Sequence, residues 1–139
     1  METFIIFYID DKIYALNVLN VQSIERMSDI TRVPYSTSYI LGVINLRGEI
    51  IPVMSLRKRL KMDSKEYDDD TRIIIAQHEE HKIGIIVDGV REVLDIPDDI
   101  IQPASDVLEN YDGTFIDGVI KQQDKLFFKL NTKSLLGVK

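Results

Sequence analysis

The chain has 139 residues, a net charge of −6, 45% hydrophobic and 29% charged residues, and no cysteine. That balance is ordinary for a folded domain and excludes disulfide and thiolate chemistry. The acidity counts against general nucleic-acid binding, which needs cations to neutralise phosphate. No apolar run approaches the ~20 residues of a membrane span, and the start, Met1-Glu2-Thr3-Phe4, lacks a secretory pattern. These features favour a cytoplasmic protein.

In chain order, Phe4–Ile9 is a strand by its Ile and Phe content. A polar turn, Asp10-Asp11, leads to a second strand, Lys12–Leu16, the pattern of a hairpin. Val21-Gln22-Ser23-Ile24 follows; Tyr39–Ile44 and Ile50–Met54 flank a turn at Asn45–Glu49. Leu56 and Leu60, spaced i, i+4, predict one or two helical turns. Arg57-Lys58-Arg59 is then expected to face solvent near the helix C-terminus; a nucleic-acid role for this triplet is the alternative. Met62–Asp70 (MDSKEYDDD) reads as an exposed acidic linker. Residues 1–62 carry eight Lys/Arg against six Asp/Glu, and residues 63–139 nine against seventeen. Such asymmetry suits oriented docking or plain uneven solvation.

The second half resembles the first. Arg72–Ile75, a turn at Glu79-Glu80-His81 and Lys82–Ile86 repeat the opening hairpin. Val90–Val93 matches Val21–Ile24, Pro103 matches Pro34, and Phe115–Ile120 matches Tyr39–Ile44. Leu126–Leu130 and Leu136 match Ile50–Met54 and Leu60. The conserved order predicts two related β-rich units of about five short antiparallel strands each. Units of ~65 residues bury little surface alone, so they are expected to pack together and form a shared groove.

Chemistry is hard to find. His78-Glu79-Glu80-His81 lacks the three or four converging ligands of a zinc site and is not HExxH, so a hairpin turn is the better reading. There is no GxSxG, phosphate loop or GxGxxG. Asp88-Gly89 and Asp112-Gly113 fit turns that need positive φ. The carboxylates gather in polar loops, which predicts solvation.

The halves diverge at one turn. Gly118-Val119-Ile120 runs into the uniformly polar Lys121–Lys125, whereas Gly42-Val43-Ile44 runs into Asn45-Leu46-Arg47-Gly48-Glu49. Arg47 can make forked contacts with a carboxylate, either in a partner or within the domain. Gly48 can supply the left-handed turn residue.

The string Gly42–Val53 (GVINLRGEIIPV) resembles the signature of the CheW-like domain family, as do Thr31–Pro34, Gly84–Val90 and Ile101–Ala104. The resemblance covers essentially the whole chain. It implies a mainly β fold: one domain, 1–139, of two intertwined SH3-like five-stranded β-barrel subdomains with short helices. The first spans about 13–70; the second, 71–139, is completed by the N-terminal strand within 1–12. It further implies an adaptor without catalytic residues, metal or cofactor. Such a protein couples the cytoplasmic tip of transmembrane chemoreceptors to the regulatory domain of the histidine kinase CheA, and is cytoplasmic until recruited to membrane-associated arrays.

By that resemblance Val21 and Gly42 contact the receptor in an apolar groove between the subdomains, with Ile24, Ile40 and Leu46 added from local sequence. A helix in such a groove buries its apolar anchors. Ordinary core packing is the alternative for Val21 and Ile24. Arg47, with Gly48 and Glu49, forms the kinase-binding or loop-stabilising turn. Gly42→Asp is expected to charge the groove and leave the fold intact. The acidic residue common in the family two positions after the matched valine is Ser23 here, and Glu25 is the carboxylate available to Arg47 if the strand register allows it. The start at Met1 and the brief tail after Leu136 favour a stand-alone adaptor. The alternative is the same domain within a larger signalling protein, either a kinase regulatory end or a coupling protein with a receiver domain. A nucleic-acid-binding barrel and an enzyme with an unfamiliar site rank below both.

Overall fold

The structure is a computed structural model and describes residues 1–34, 39–107 and 115–137. The strands are β1 (Glu2–Ile9), β2 (Lys12–Asn17), β3 (Val21–Arg26), β4 (Ile40–Leu46), β5 (Glu49–Ser55), β6 (Arg72–His78), β7 (His81–Val87), β8 (Gly89–Ile96), β9 (Ile101–Pro103), β10 (Ile116–Gln122) and β11 (Lys125–Leu130). Three short helices follow β5, β9 and β11: α1 (Leu56–Arg59), α2 (Ala104–Val107) and α3 (Thr132–Leu135). Ser55 and Asn131 cap α1 and α3, each accepting a backbone N–H in the first turn.

The strands form two sheets, ordered β3-β6-β7-β5-β4 and β8-β1-β2-β11-β10-β9. Each half lends its opening hairpin to the sheet of the other. Strand membership therefore differs from a division at residues 12/13 and 70/71: β2 crosses with β1, and β6 and β7 cross in the opposite direction. The reason is local. Ile9 pairs with Lys12 and His78 with His81 across two-residue turns, so each hairpin moves as one piece. Each is then held by a parallel pairing, Phe127 with Ile13 and Val53 with Gly84. The duplication extends to irregularities: the β3–β6 and β8–β1 ladders each shift register, as do β4–β5 and β10–β11.

Alternation along these strands sends side chains to two different cores. Phe4, Ile6, Ala15, Ile96, Ile120 and Phe127 cluster inside the six-stranded sheet. Ile44, Ile51, Val53, Ile73, Ile75 and Ile86 cluster inside the five-stranded one. The opposite faces meet in a third, larger cluster that includes Ile5, Phe7, Tyr14 and Leu16 from one sheet and Met54, Ile74 and Ile85 from the other. β1 and β6 are thus buried on both faces, which is why Phe4–Phe7 and Ile73–Ala76 are unbroken apolar runs.

Polar groups pin the same seam. Arg57, expected to face solvent, is buried at 8% exposure. Its Nε and a terminal nitrogen donate to both oxygens of Asp88 at 3.1 and 2.6 Å, and its guanidinium also pairs with Asp10. A further donor reaches the Asp63 carbonyl at 2.9 Å, and the Asp10 amide donates to Asp88 at 2.7 Å. The linker is consequently fastened at its start, with Met62 packed on the shared core. Arg59 is not a free surface cation either: its guanidinium lies 4.0 Å from the Tyr39 ring centroid and 4.5 Å from that of Phe115. Asp88-Gly89 is not a left-handed turn. Gly89 opens β8, where any Cβ would collide with the Tyr8 ring. The proposed turn at Asp112-Gly113 lies outside the described residues.

Burial pushes the Asp88 carboxyl up, but Arg57, the Asp10 amide and Lys65 outweigh it, and the group sits below its ordinary value. A carboxyl held low in the folded state stabilises the fold above its unfolded pKa of about 3.9, and the benefit is lost as pH falls through the folded value. Urea titrations are therefore expected to show stability falling below about pH 4, with a flatter profile in Asp88→Asn. Asp88→Ala leaves Arg57 buried without its main partner and is expected to cost about 3–5 kcal/mol, measured by urea unfolding at pH 7.

Candidate functional site

β3 is an edge strand. Beyond its register shift, Ile24 shares a rung with Ile74 of the shared core, so its side chain emerges on the seam-facing side at 39% exposure. β8 repeats this at the edge of the other sheet: Val93 pairs with Ile5 and is 57% exposed. Val21 and Val90 pack partly buried against the shared core. The two edge strands thus place Val21 with Ile24 and Val90 with Val93 along the margin of one apolar cluster. Leu19, in the 3-10 turn before β3, is 88% exposed.

The expected groove is consequently not an open trough. Its centre is filled by the chain's own side chains, because a domain of this size needs that burial to be stable. Apolar surface remains at its rims. Val90, Val93 and Leu19 were not singled out in the sequence. The repeat carried the signal for the first two, since Val90–Val93 is aligned with Val21–Ile24.

The other groove candidates have different surroundings. Ile40 packs against the shared core, and Leu46 against the core of the five-stranded sheet. Gly42 is buried. Thr31 and Val43 exchange two backbone hydrogen bonds of 2.8 and 2.9 Å, and this draws the Thr31–Arg32 segment across β4. A Cβ on Gly42 would overlap the Thr31 carbonyl and stand 3.0 Å from the Arg32 Cα. Gly42→Asp is therefore not the fold-neutral change expected from sequence.

Arg47 and Gly48 form the two-residue turn between β4 and β5. Both have positive φ, 49° and 88°, as a type I′ turn requires, and Asn45 accepts the Gly48 amide at 2.9 Å. Arg47 pairs with Glu25 at 3.3 Å while its side chain stays 68% exposed. Glu25 is thus the carboxylate that meets Arg47; it lies two residues on, on the same face of β3 as Ser23, opposite Ile73 where Ser23 is opposite Ile75. The neighbouring Ser23 hydroxyl and then the Arg47 guanidinium hold the Glu25 carboxyl below its ordinary value, against an opposing desolvation. Glu49 pairs with Lys82 at 2.8 Å. Next to this charged turn, Ile50 is 60% exposed.

The counterpart turn, Gln123-Asp124, also has two positive φ values, 50° and 65°, and its neighbour Leu126 is 44% exposed. Among the described residues no group of three or more His, Cys, Asp or Glu could hold a metal, and no helix is long and apolar enough to cross a membrane.

Exposed aliphatic rims, a charged turn with an apolar neighbour, and a rigid duplicated framework define a protein-binding scaffold. A family model for the CheW-like domain matches residues 3–139. The chain is 37% identical over 135 residues to the chemotaxis protein CheW of Bacillus subtilis (strain 168), covering 97% of this chain and 86% of that protein. It is 34% identical over 134 residues to the Helicobacter pylori chemotaxis protein CheW, covering 96% and 80%. The crystal structure of the scaffolding protein TtCheW from Thermoanaerobacter tengcongensis matches with a TM-score of 0.86 at 33% identity, covering 94% of this chain and 88% of that one. The chain belongs to the CheW-like family, and its role is that of a chemotaxis coupling adaptor.

Gly42→Ala is expected to destabilise the fold by about 1–3 kcal/mol and to raise hydrogen exchange at the Thr31 amide. Wild-type protection in that variant would show that the segment does not depend on the glycine.

Proposed function

We propose that this chain joins chemoreceptors to the histidine kinase CheA without catalysing a reaction, and that it works in the cytoplasm at membrane-associated receptor arrays. The receptor tip docks on the seam rims, with Val21 and Ile24 on β3 and Val90 and Val93 on β8. The single observation that carries this reading is the repeated pair of exposed aliphatics, Ile24 and Val93, beside one shared core. A helical hairpin laid along those rims would cover apolar side chains that water now touches. Ile40, Gly42 and Leu46 support this surface from behind: Ile40 and Leu46 by packing, Gly42 by seating the Thr31–Arg32 segment.

The kinase regulatory domain docks on the hairpin end formed by Arg47, Gly48 and Glu49, with Ile50 as its apolar contact. Arg47 has both roles open to it. One edge of its guanidinium pairs with Glu25, and its exposure leaves further donors for a partner carboxylate. An exposed pair of this kind contributes only about 0–1 kcal/mol to the fold, so Arg47 can be spared structurally and used for binding.

Ile24→Glu and Val93→Glu are each expected to weaken binding of a receptor cytoplasmic fragment about ten-fold or more and to leave kinase-domain binding unchanged, as read by titration calorimetry. Undiminished receptor affinity in both would remove the rim assignment. Arg47→Ala and Ile50→Glu are expected to do the reverse, weakening the kinase domain by about 1–2 kcal/mol with receptor binding retained. Wild-type kinase affinity in both would leave the hairpin turn without a binding role.

A further inference from the structure

Away from the rims and the hairpin end, two cavities of about 160 and 390 Å³ adjoin on the five-stranded sheet and share Arg32, Leu41 and Tyr67 as walls. Met27 and Ile30, which pack against the core of that sheet, line the larger one with Leu41. Lys65 lines the smaller. The lining is mixed: Met27, Ile30 and Leu41 supply an apolar patch in the larger cavity, and polar and charged side chains, Asp29 and Glu66 among them, supply at least as much of the rest. Together the two cavities reach the size range of small-molecule sites, about 300–1,000 Å³.

Both walls are held in place. Arg32 follows the Thr31 bridge to Val43, seated over Gly42. The facing wall is the Ser64–Tyr67 strap. It is anchored by the Asp63 carbonyl on Arg57 and by Lys65, which lies 3.9 Å from Asp88 and 3.5 Å from Asp68. The Thr71 hydroxyl and the Asp68 amide, 2.9 Å apart, close the far end.

The charges on the two walls differ in their satisfaction. Lys65 already has carboxylates close by. Arg32 makes no ion pair or side-chain hydrogen bond among the described residues, although it is only partly exposed. Its guanidinium is near enough to Tyr67 to draw that hydroxyl down, against the stronger upward push of burial.

We propose that this cleft binds a small organic acid: a carboxylate received by Arg32, carried on a compact aromatic or branched aliphatic body that rests on Leu41, Met27 and Ile30. Arg fits because its planar fork offers two parallel donors to a carboxylate. The apolar body is required because Arg32 alone, at the protein surface, would hold a bare anion weakly.

Amide NMR titration with 3-phenylpropionate tests this. Shifts centred on Arg32, Leu41 and Tyr67 are expected. Affinity should fall about ten-fold for the uncharged 3-phenylpropionamide, and as much in Arg32→Gln, which removes no hydrogen bond among the described residues. Acetate, lacking the apolar body, should bind more weakly than 3-phenylpropionate. Leu41→Glu, which places a carboxylate on the lining, should abolish binding, and an unchanged spectrum remote from the cleft would certify the fold of either variant. Absent or scattered shifts, equal affinity for acid and amide, or full affinity in Arg32→Gln would each overturn the proposal.

Discussion

Asp88 accepts two hydrogen bonds from Arg57 and one from the Asp10 amide. That single carboxylate fastens three parts of the chain that belong to different sheets. Asp10 turns β1 into β2 in the six-stranded sheet, and Arg57 sits on α1 behind β5 of the five-stranded one. Asp88 itself lies where the chain passes from β7 to β8, and so from one sheet to the other. Burying these charges is tolerable because each is matched; an unmatched member would be strongly unfavourable. These contacts fasten the chain crossing, and the hydrophobic cluster beside them supplies the bulk of the stabilisation. The linker beyond α1 is drawn into the same arrangement through the Asp63 carbonyl.

The exchange of hairpins accounts for the surfaces left over. With β1 and β6 buried on both faces, β3 and β8 each lie at one edge of a sheet, and Ile24 and Val93 on them stay exposed. The two edges are related by the repeat and border a common core. The hairpin turns are also related, but they have diverged. Arg47 is braced by Glu25, whereas the turn at Gln123-Asp124 carries no arginine. Duplication thus gives one frame with two kinds of surface, one apolar and repeated, the other charged and present in a single copy.

Much of this was legible in the sequence. Apolar runs separated by polar turns marked the strands, and their ordered recurrence marked the duplication. The spacing of Leu56 and Leu60 and its repeat at Leu136 mark α1 and α3 but not α2, and the motif around Gly42–Val53 marks the family. Exchange of whole hairpins was not legible, because a run such as Phe4–Phe7 states that both faces are buried but not which sheet buries them. The burial of Arg57 is hidden for a related reason: on a one-turn helix, residue type indicates solvent, and only the chain crossing at Asp88 brings in a carboxylate to receive it. Gly42 looked like a surface contact because its role depends on the path of Thr31–Arg32, eleven residues earlier by the Thr31 position. The filled seam likewise depends on two sheets meeting, which no local pattern encodes.

If the seam rims and the hairpin end hold different proteins, as proposed, both can be bound at once. The most direct measurement is the affinity of the CheA regulatory domain for this chain with and without a saturating receptor cytoplasmic fragment, followed by size-exclusion light scattering of the mixture. A ternary species is expected, with the receptor fragment failing to displace the kinase domain. Mutual displacement, with only binary complexes eluting, would contradict simultaneous binding.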